Sequence, residues 1–137
     1  MRFVIAFLAL AGAVVATLAL RIHYSTDTEP CSINEKWDCG NVNHSPYAVF
    51  AHIPVAAIGI AGYIVLGGLA LARRRILLAV LACLALGFSL YLTGIERYVL
   101  QVYCLYCVTS LGIISLVTLS SLGWAIHAAL VRRRAAA

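Results

Sequence analysis

Four long apolar runs, separated by shorter polar segments, dominate the pattern of this chain. They cover about residues 3–20, 47–72, 76–95 and 104–131. A helix needs about 20 apolar residues to cross the hydrocarbon core of a bilayer. The pattern therefore predicts an all-α membrane protein, a four-transmembrane-helix bundle. The longest polar segment, residues 21–46, predicts a long loop between the first and second helices.

Composition supports the same class. Apolar residues make up 64% of the 137 residues and charged residues 11%, with a mean hydropathy of +0.98. Soluble domains have roughly 45–50% and about 25% respectively. The first run could be a cleaved signal peptide, but its length and the lack of a small-x-small site favour a retained helix. We expect one domain over residues 1–137 and no attached soluble domain.

The net charge of +5 is distributed in a way that predicts topology. Seven of the ten basic residues form three groups, namely Arg2, Arg73–Arg75 and Arg132–Arg134. The five acids lie in the other two inter-helix segments: Asp27, Glu29, Glu35, Asp38 and Glu96. Because basic residues mark cytoplasmic loops, both termini are predicted to be cytoplasmic, with residues 21–46 and 96–103 outside. The same clustering argues against a nucleic-acid partner.

A Cys-x-x-Cys motif, Cys104-Leu105-Tyr106-Cys107, opens the fourth run. Such a dithiol can form a disulfide and exchange it with another dithiol. The unpaired N–H groups and the dipole of a helix start favour a thiolate there. Three residues apart, the two cysteines share one helix face, with Cys107 deeper. We expect Cys104 to face the water-side thiol system and Cys107 to face the membrane.

Cys31 and Cys39 form a second pair in the long polar loop. Their spacing is compatible with a redox-active pair that swings toward Cys104, and also with a purely structural disulfide. A four-Cys zinc site is disfavoured because the chain has only one two-residue cysteine spacing. A non-catalytic metal-binding membrane protein, with cysteines as soft ligands, is the alternative from a different functional class.

Two polar sites lie at or near the start of the second run. Ser45-Pro46 matches the residue preferences of a helix start, which predicts that Ser45 caps the second helix. His52 is the only ionisable residue inside this run, and ionisable groups within a membrane are candidates for function. A hydrogen bond within the bundle is the alternative role for His52.

Together these residues resemble the vitamin K epoxide reductase family, particularly its small bacterial and archaeal members. The resemblance covers nearly the whole chain. It rests on the Cys31/Cys39 pair, on Ser45 six residues later, on the His52-Ile53-Pro54…Gly59…Tyr63 run, and on Cys104-Leu105-Tyr106-Cys107.

The resemblance implies a thiol oxidoreductase that supports disulfide formation in a prokaryotic cytoplasmic membrane. A separate thioredoxin-like (DsbA-like) protein on the outer side would reduce Cys31 and Cys39, which would pass electrons to Cys104. Cys107 would then reduce a membrane quinone of the menaquinone, ubiquinone or vitamin K type, with Ser45 assisting at the quinone site. No metal is implied.

Two positions depart from the family pattern. Leu111 stands where the animal enzymes carry a pocket tyrosine, and His52 replaces the glycine usual before Ile-Pro. Both are therefore expected at the quinone pocket. The change at Leu111 disfavours the alternative function within the same class, vitamin K quinone or epoxide reduction.

Overall fold

The computed structural model describes residues 1–24, 46, 49–50, 53–101 and 103–137. These residues form a helical bundle, as expected. Its elements are α1 (Arg2–Tyr24), β1 (Val49–Phe50), β2 (Ile53–Pro54), α2 (Val55–Leu71), α3 (Arg75–Ile95), a π-helical turn (Glu96–Leu100) and α4 (Leu105–Ala136).

Small residues set the contact between α1 and α2. A Cβ placed on Gly67 would lie 3.4 Å from the Cβ of Ala9, and one on Gly59 would lie 3.6 Å from that of Ala16. The numbering falls along α2 as it rises along α1, so the helices are antiparallel. Small side chains let the two backbones approach closely, as is common between membrane helices.

Two polar contacts join α3 and α4. The Thr118 hydroxyl donates to the Ala82 carbonyl oxygen at 3.2 Å, and the Arg75 guanidinium lies 5.0 Å from the ring centroid of Trp124. These helices are therefore also antiparallel. The three arginine groups consequently lie at one end of the bundle, and Cys104 lies at the other, which we call the dithiol end.

The outer surface of the bundle is apolar. Phe7, Ile76 and Leu119 are 71%, 74% and 68% exposed. Among the described residues, three helices are long and apolar enough to cross a membrane, yet only 17–28% of their apolar windows is buried inside the bundle. The fourth apolar helix, Val55–Leu71, is shorter, at 17 residues. Exposed apolar surface on this scale marks a protein that sits in lipid.

The second helix begins later than the apolar pattern predicts. It starts at Val55 rather than Tyr47, after a short antiparallel pairing of Val49 with Pro54 and of Phe50 with Ile53. Proline lacks an N–H and disfavours helical geometry in the residue before it. Pro54 is therefore the N-cap residue of α2. The helix therefore begins at Val55, later than the Ser45-Pro46 start that the pattern predicts, while Ser45 and His52 themselves lie outside the described residues.

The other helix bounds differ less from the predicted ones. α1 extends to Tyr24 instead of residue 20, and α4 extends to Ala136 instead of residue 131. α3 continues directly into the π-helical turn, which ends at Leu100 and is followed by Gln101, a residue with a left-handed φ of 58°. This turn fills most of the segment expected to be an outer loop, and it brings Glu96 next to the start of α4.

Candidate active site

Cys104 and Cys107 lie together at the dithiol end. Cys104 is the N-cap residue of α4 and has an extended backbone (φ −96°, ψ 123°). Its carbonyl oxygen accepts the N–H of Val108 at 3.0 Å. Cys107 lies in the first turn, and its thiol hydrogen-bonds to the Cys104 sulfur. Cys104 is fully buried, whereas Cys107 is partly exposed.

This contact makes Cys104 the more acidic thiol of the pair. The hydrogen bond from Cys107 lowers the pKa of Cys104 below its ordinary value, because a donor stabilises the thiolate. Burial of Cys104 and the nearby charge of Glu96 act in the opposite direction but do not cancel the effect. A lowered pKa favours the thiolate form that thiol–disulfide exchange requires.

Glu96 is the site residue that the sequence did not reveal. It is the first residue of the π-helical turn, and only 2% of its surface is exposed. Its Oε2 accepts the N–H of Cys104 at 3.2 Å, and its carboxylate lies within hydrogen-bonding reach of the Cys107 thiol. The available signal was a lone carboxylate in the segment before the Cys-x-x-Cys motif. That pattern is equally typical of a solvated loop.

A cavity of about 250 Å³ opens beside the dithiol. Each of the described helices α1 to α4 contributes to its lining, mainly with apolar side chains. The lining also contains a few polar groups, namely Tyr63, Ser89, Thr93, Glu96, Tyr106, Cys107 and Ser110. Cys107 belongs to the described lining and Cys104 does not. An apolar cavity with a few convergent polar groups is typical of a small-molecule site.

A tyrosine–serine pair forms one wall of this cavity. The Tyr63 hydroxyl lies 2.7 Å from the Ser110 hydroxyl, where either oxygen can donate, and it also donates to the Ser110 carbonyl oxygen at 2.9 Å. The Tyr63 ring lies directly over Gly12, so a Cβ on Gly12 would overlap it. The sequence singled out Tyr63 only as part of the run that begins at His52 and resembles a known family. Nothing in the sequence marked Ser110 or Gly12 as its partners.

Leu111 does not belong to the described lining of the cavity, although it was expected at a quinone pocket. It packs against the hydrophobic core instead. Successive residues of a helix are about 100° apart. The face of α4 that carries Cys107, Ser110 and Ile114 points into the cavity, and Leu111 lies to one side of it. Ser110 and Ile114 line the cavity in this part of α4, and the contact of Leu111 with a quinone stays a prediction.

The other predicted site residues lie outside the described residues. These are Cys31, Cys39, Ser45 and His52. Within the part of the chain that the structure describes, no group of three or more His, Cys, Asp or Glu side chains is placed to hold a metal ion.

A dithiol beside an apolar cavity, within a bundle of membrane-type helices, defines a membrane-bound thiol oxidoreductase. The family model for the vitamin K epoxide reductase (VKOR) family matches residues 3–122. The chain therefore belongs to the VKOR family. Comparison with curated proteins found no significant match. Members of this family use quinones as electron acceptors and exchange electrons with thiol partners, so the protein is an integral membrane oxidoreductase of this type.

Proposed function

We propose that this protein oxidises the thiols of a separate thioredoxin-like protein and passes the two electrons to a membrane quinone. The products are a disulfide in the partner and a hydroquinone in the membrane. In this proposal all four helices span the bilayer. The arginine-rich end lies in the cytoplasm and the dithiol end lies outside, because basic residues favour the cytoplasmic side.

The observation that carries the proposal is the unequal placement of the two cysteines. Cys107 lines the cavity, whereas Cys104 is fully buried outside the described lining and touches Cys107. This asymmetry supports different roles for the two sulfurs: Cys107 would meet a molecule in the cavity, and Cys104 would exchange with the second cysteine pair. This division of roles is the one that a relay between two substrates requires.

The cavity has the chemistry of a quinone headgroup site. A quinone ring is flat and apolar, and its two oxygens accept hydrogen bonds. The walls are mainly apolar, and when the Tyr63 hydroxyl donates within its pair with Ser110, the Ser110 hydroxyl is left to donate to a quinone oxygen. Ser45 and His52 are further proposed contacts of the headgroup.

The burial of Cys104 supports a role for Cys31 and Cys39 as carriers. A folded partner cannot reach a sulfur that is 0% exposed. In the proposed path, the partner first reduces the Cys31–Cys39 disulfide, and Cys39 then exchanges with Cys104. Each exchange forms one disulfide and breaks another. The final oxidation of Cys104 and Cys107 releases two electrons and two protons, which convert the quinone to hydroquinone.

Single cysteine variants test this path in purified protein with a soluble quinone. Cys104→Ser and Cys107→Ser should abolish quinone reduction with either a small dithiol or a protein dithiol as reductant. Cys31→Ser and Cys39→Ser should retain activity with dithiothreitol and lose it with the protein. Cys83→Ser is the matched control, because Cys83 is exposed on α3 and does not belong to the described lining. Turnover of quinone by Cys107→Ser would refute the proposal.

A further inference from the structure

Glu96 has a position that the proposed relay does not yet use. We propose that its carboxylate is the catalytic base that removes the proton of the Cys107 thiol and delivers it into the cavity during quinone reduction. This inference rests on the proposed function. It adds a proton path to the electron path that the cysteines provide.

The geometry fixes Glu96 between the dithiol and the cavity. The Cys104 N–H holds its Oε2 at 3.2 Å. The carboxylate lies within hydrogen-bonding reach of the Cys107 thiol and also contributes to the cavity lining. The proton of Cys107 therefore has two acceptors, the Cys104 sulfur and the Glu96 carboxylate. Transfer to Cys104 keeps the proton within the pair, whereas transfer to Glu96 removes it.

A structural role alone does not account for a carboxylate at this place. Burying a charge is costly unless it is paired, and no salt bridge joins Glu96 to a cation among the described residues. The neighbouring Arg97 is exposed, and its guanidinium lies 5.4 Å from the Tyr98 ring centroid. A neutral amide or hydroxyl could accept the Cys104 N–H without that cost. The carboxylate adds the ability to bind and release a proton.

The other polar groups of the cavity lack this ability. The hydroxyls of Tyr63 and Ser110 bond to each other, and the Thr93 hydroxyl donates to the Ser89 carbonyl oxygen at 2.9 Å. Hydroxyls of serine and threonine do not ionise in the physiological range, and an ordinary tyrosine hydroxyl does so only near a pH of about 10. Glu96 is the only carboxyl group in the described lining.

The step balances over one turnover. Two thiols lose two electrons and two protons and form the Cys104–Cys107 disulfide, while the quinone gains both and becomes hydroquinone. Glu96 accepts the proton that leaves Cys107, releases it toward a quinone oxygen and returns to the carboxylate. The proton lost by Cys104 accounts for the proton on the second hydroquinone oxygen.

Glu96→Gln is the direct test, because glutamine keeps an oxygen for the Cys104 N–H but cannot hold the proton. With dithiothreitol as reductant, kcat for hydroquinone formation should fall about 100-fold or more, the usual contribution of a general base. The remaining rate should rise with pH more steeply than in the wild type, since solvent must now deprotonate Cys107. Glu96→Asp should recover part of the rate. Arg97→Gln also replaces a charged side chain by glutamine, one residue away, and should leave kcat unchanged.

Three outcomes would overturn the inference. One is a Glu96→Gln variant whose kcat stays within twofold of the wild type. Another is a variant that loses rate but keeps the wild-type pH profile, which would indicate a structural role for the side chain. The third is a wild-type protein that reduces no quinone at all. That result would refute the proposed function as well, so the two failures are distinguishable.

Discussion

The Tyr63 hydroxyl lies 2.7 Å from the hydroxyl of Ser110 and thereby joins α2 to α4 at the wall of the cavity. The two residues are 47 positions apart in the chain. Both contribute to the cavity lining, so this hydrogen bond fixes the shape of the site as well as the packing of two helices.

A double-mutant cycle on this pair should show energetic coupling. Tyr63→Phe and Ser110→Ala each remove one partner. Because the hydrogen bond is lost with either change, the double variant should be less destabilised than the sum of the singles. We expect a coupling of about 0.6 kcal/mol, typical of hydrogen bonds between membrane helices. Unfolding in mixed micelles measures it, and strictly additive effects would contradict the contact.

Gly12→Ala should displace the Tyr63 ring, because the added Cβ would overlap it. Overpacking of this kind costs about 1–3 kcal/mol. Gly68→Ala is the matched control, since a Cβ there meets nothing within 4 Å and alanine favours a helix by roughly 0.5–1 kcal/mol. The thermal midpoint should therefore fall for Gly12→Ala and hold or rise for Gly68→Ala. Equal midpoints would mean that Tyr63 does not pack on Gly12.

Thr118→Val should weaken the contact between α3 and α4. The Thr118 hydroxyl bonds to the Ala82 carbonyl of α3 as well as to Ile114 within its own helix. Thr109 is exposed, and among the described residues its hydroxyl bonds only within α4, to the Leu105 carbonyl. The difference in unfolding free energy between Thr118→Val and Thr109→Val should be roughly 0.6–1.7 kcal/mol. No difference would argue against the contact between the helices.

Removal of the Cys107 thiol should raise the pKa of Cys104. The thiol donates the hydrogen bond that lowers this pKa, so Cys107→Ala should shift the formation of the Cys104 thiolate to higher pH. Cys107→Ser keeps a donor and should shift it less. Ultraviolet absorbance of the thiolate, with Cys31, Cys39 and Cys83 replaced by alanine, follows the titration. A shift of equal size in both variants would show that the donor is not the cause.

The lowered pKa also sets the direction of a pH effect on stability. A thiol whose pKa is lower in the folded state than in the unfolded state binds fewer protons when folded. Its contribution to stability is therefore present above the unfolded pKa and is lost as pH falls through the folded value. The Cys107→Ala variant should lose part of this dependence, which can be measured by comparing unfolding free energies across the alkaline range.

The apolar runs and the dithiol could be recognised from the amino-acid pattern. Long stretches without charge are stable as helices only in lipid or in a large core, so the membrane class and the rough positions of the helices follow directly. The spacing of Cys104 and Cys107 places them on one helix face, because helical geometry is local.

The sequence pattern could not predict which face of each helix points into the bundle. In a membrane protein the lipid is as apolar as the bundle interior, so α2 and α4 carry no amphipathic stripe that distinguishes Ser110 from Leu111 as the cavity-facing position. The rotation of each helix depends on close contacts such as Gly12 with Tyr63, which arise between distant parts of the chain. Packing against the neighbouring helices therefore decides which face of each helix points inward.

The start of α2 and the conformation of the segment after α3 also became clear only from the tertiary structure. Apolar content extended α2 back to Tyr47, although Pro54 sets its start in the fold. Glu96 looked like a loop carboxylate until the π-helical turn carried it to the Cys104 N–H. The dithiol was therefore evident from sequence, whereas its buried carboxylate and its cavity exist only once α3 and α4 have packed together.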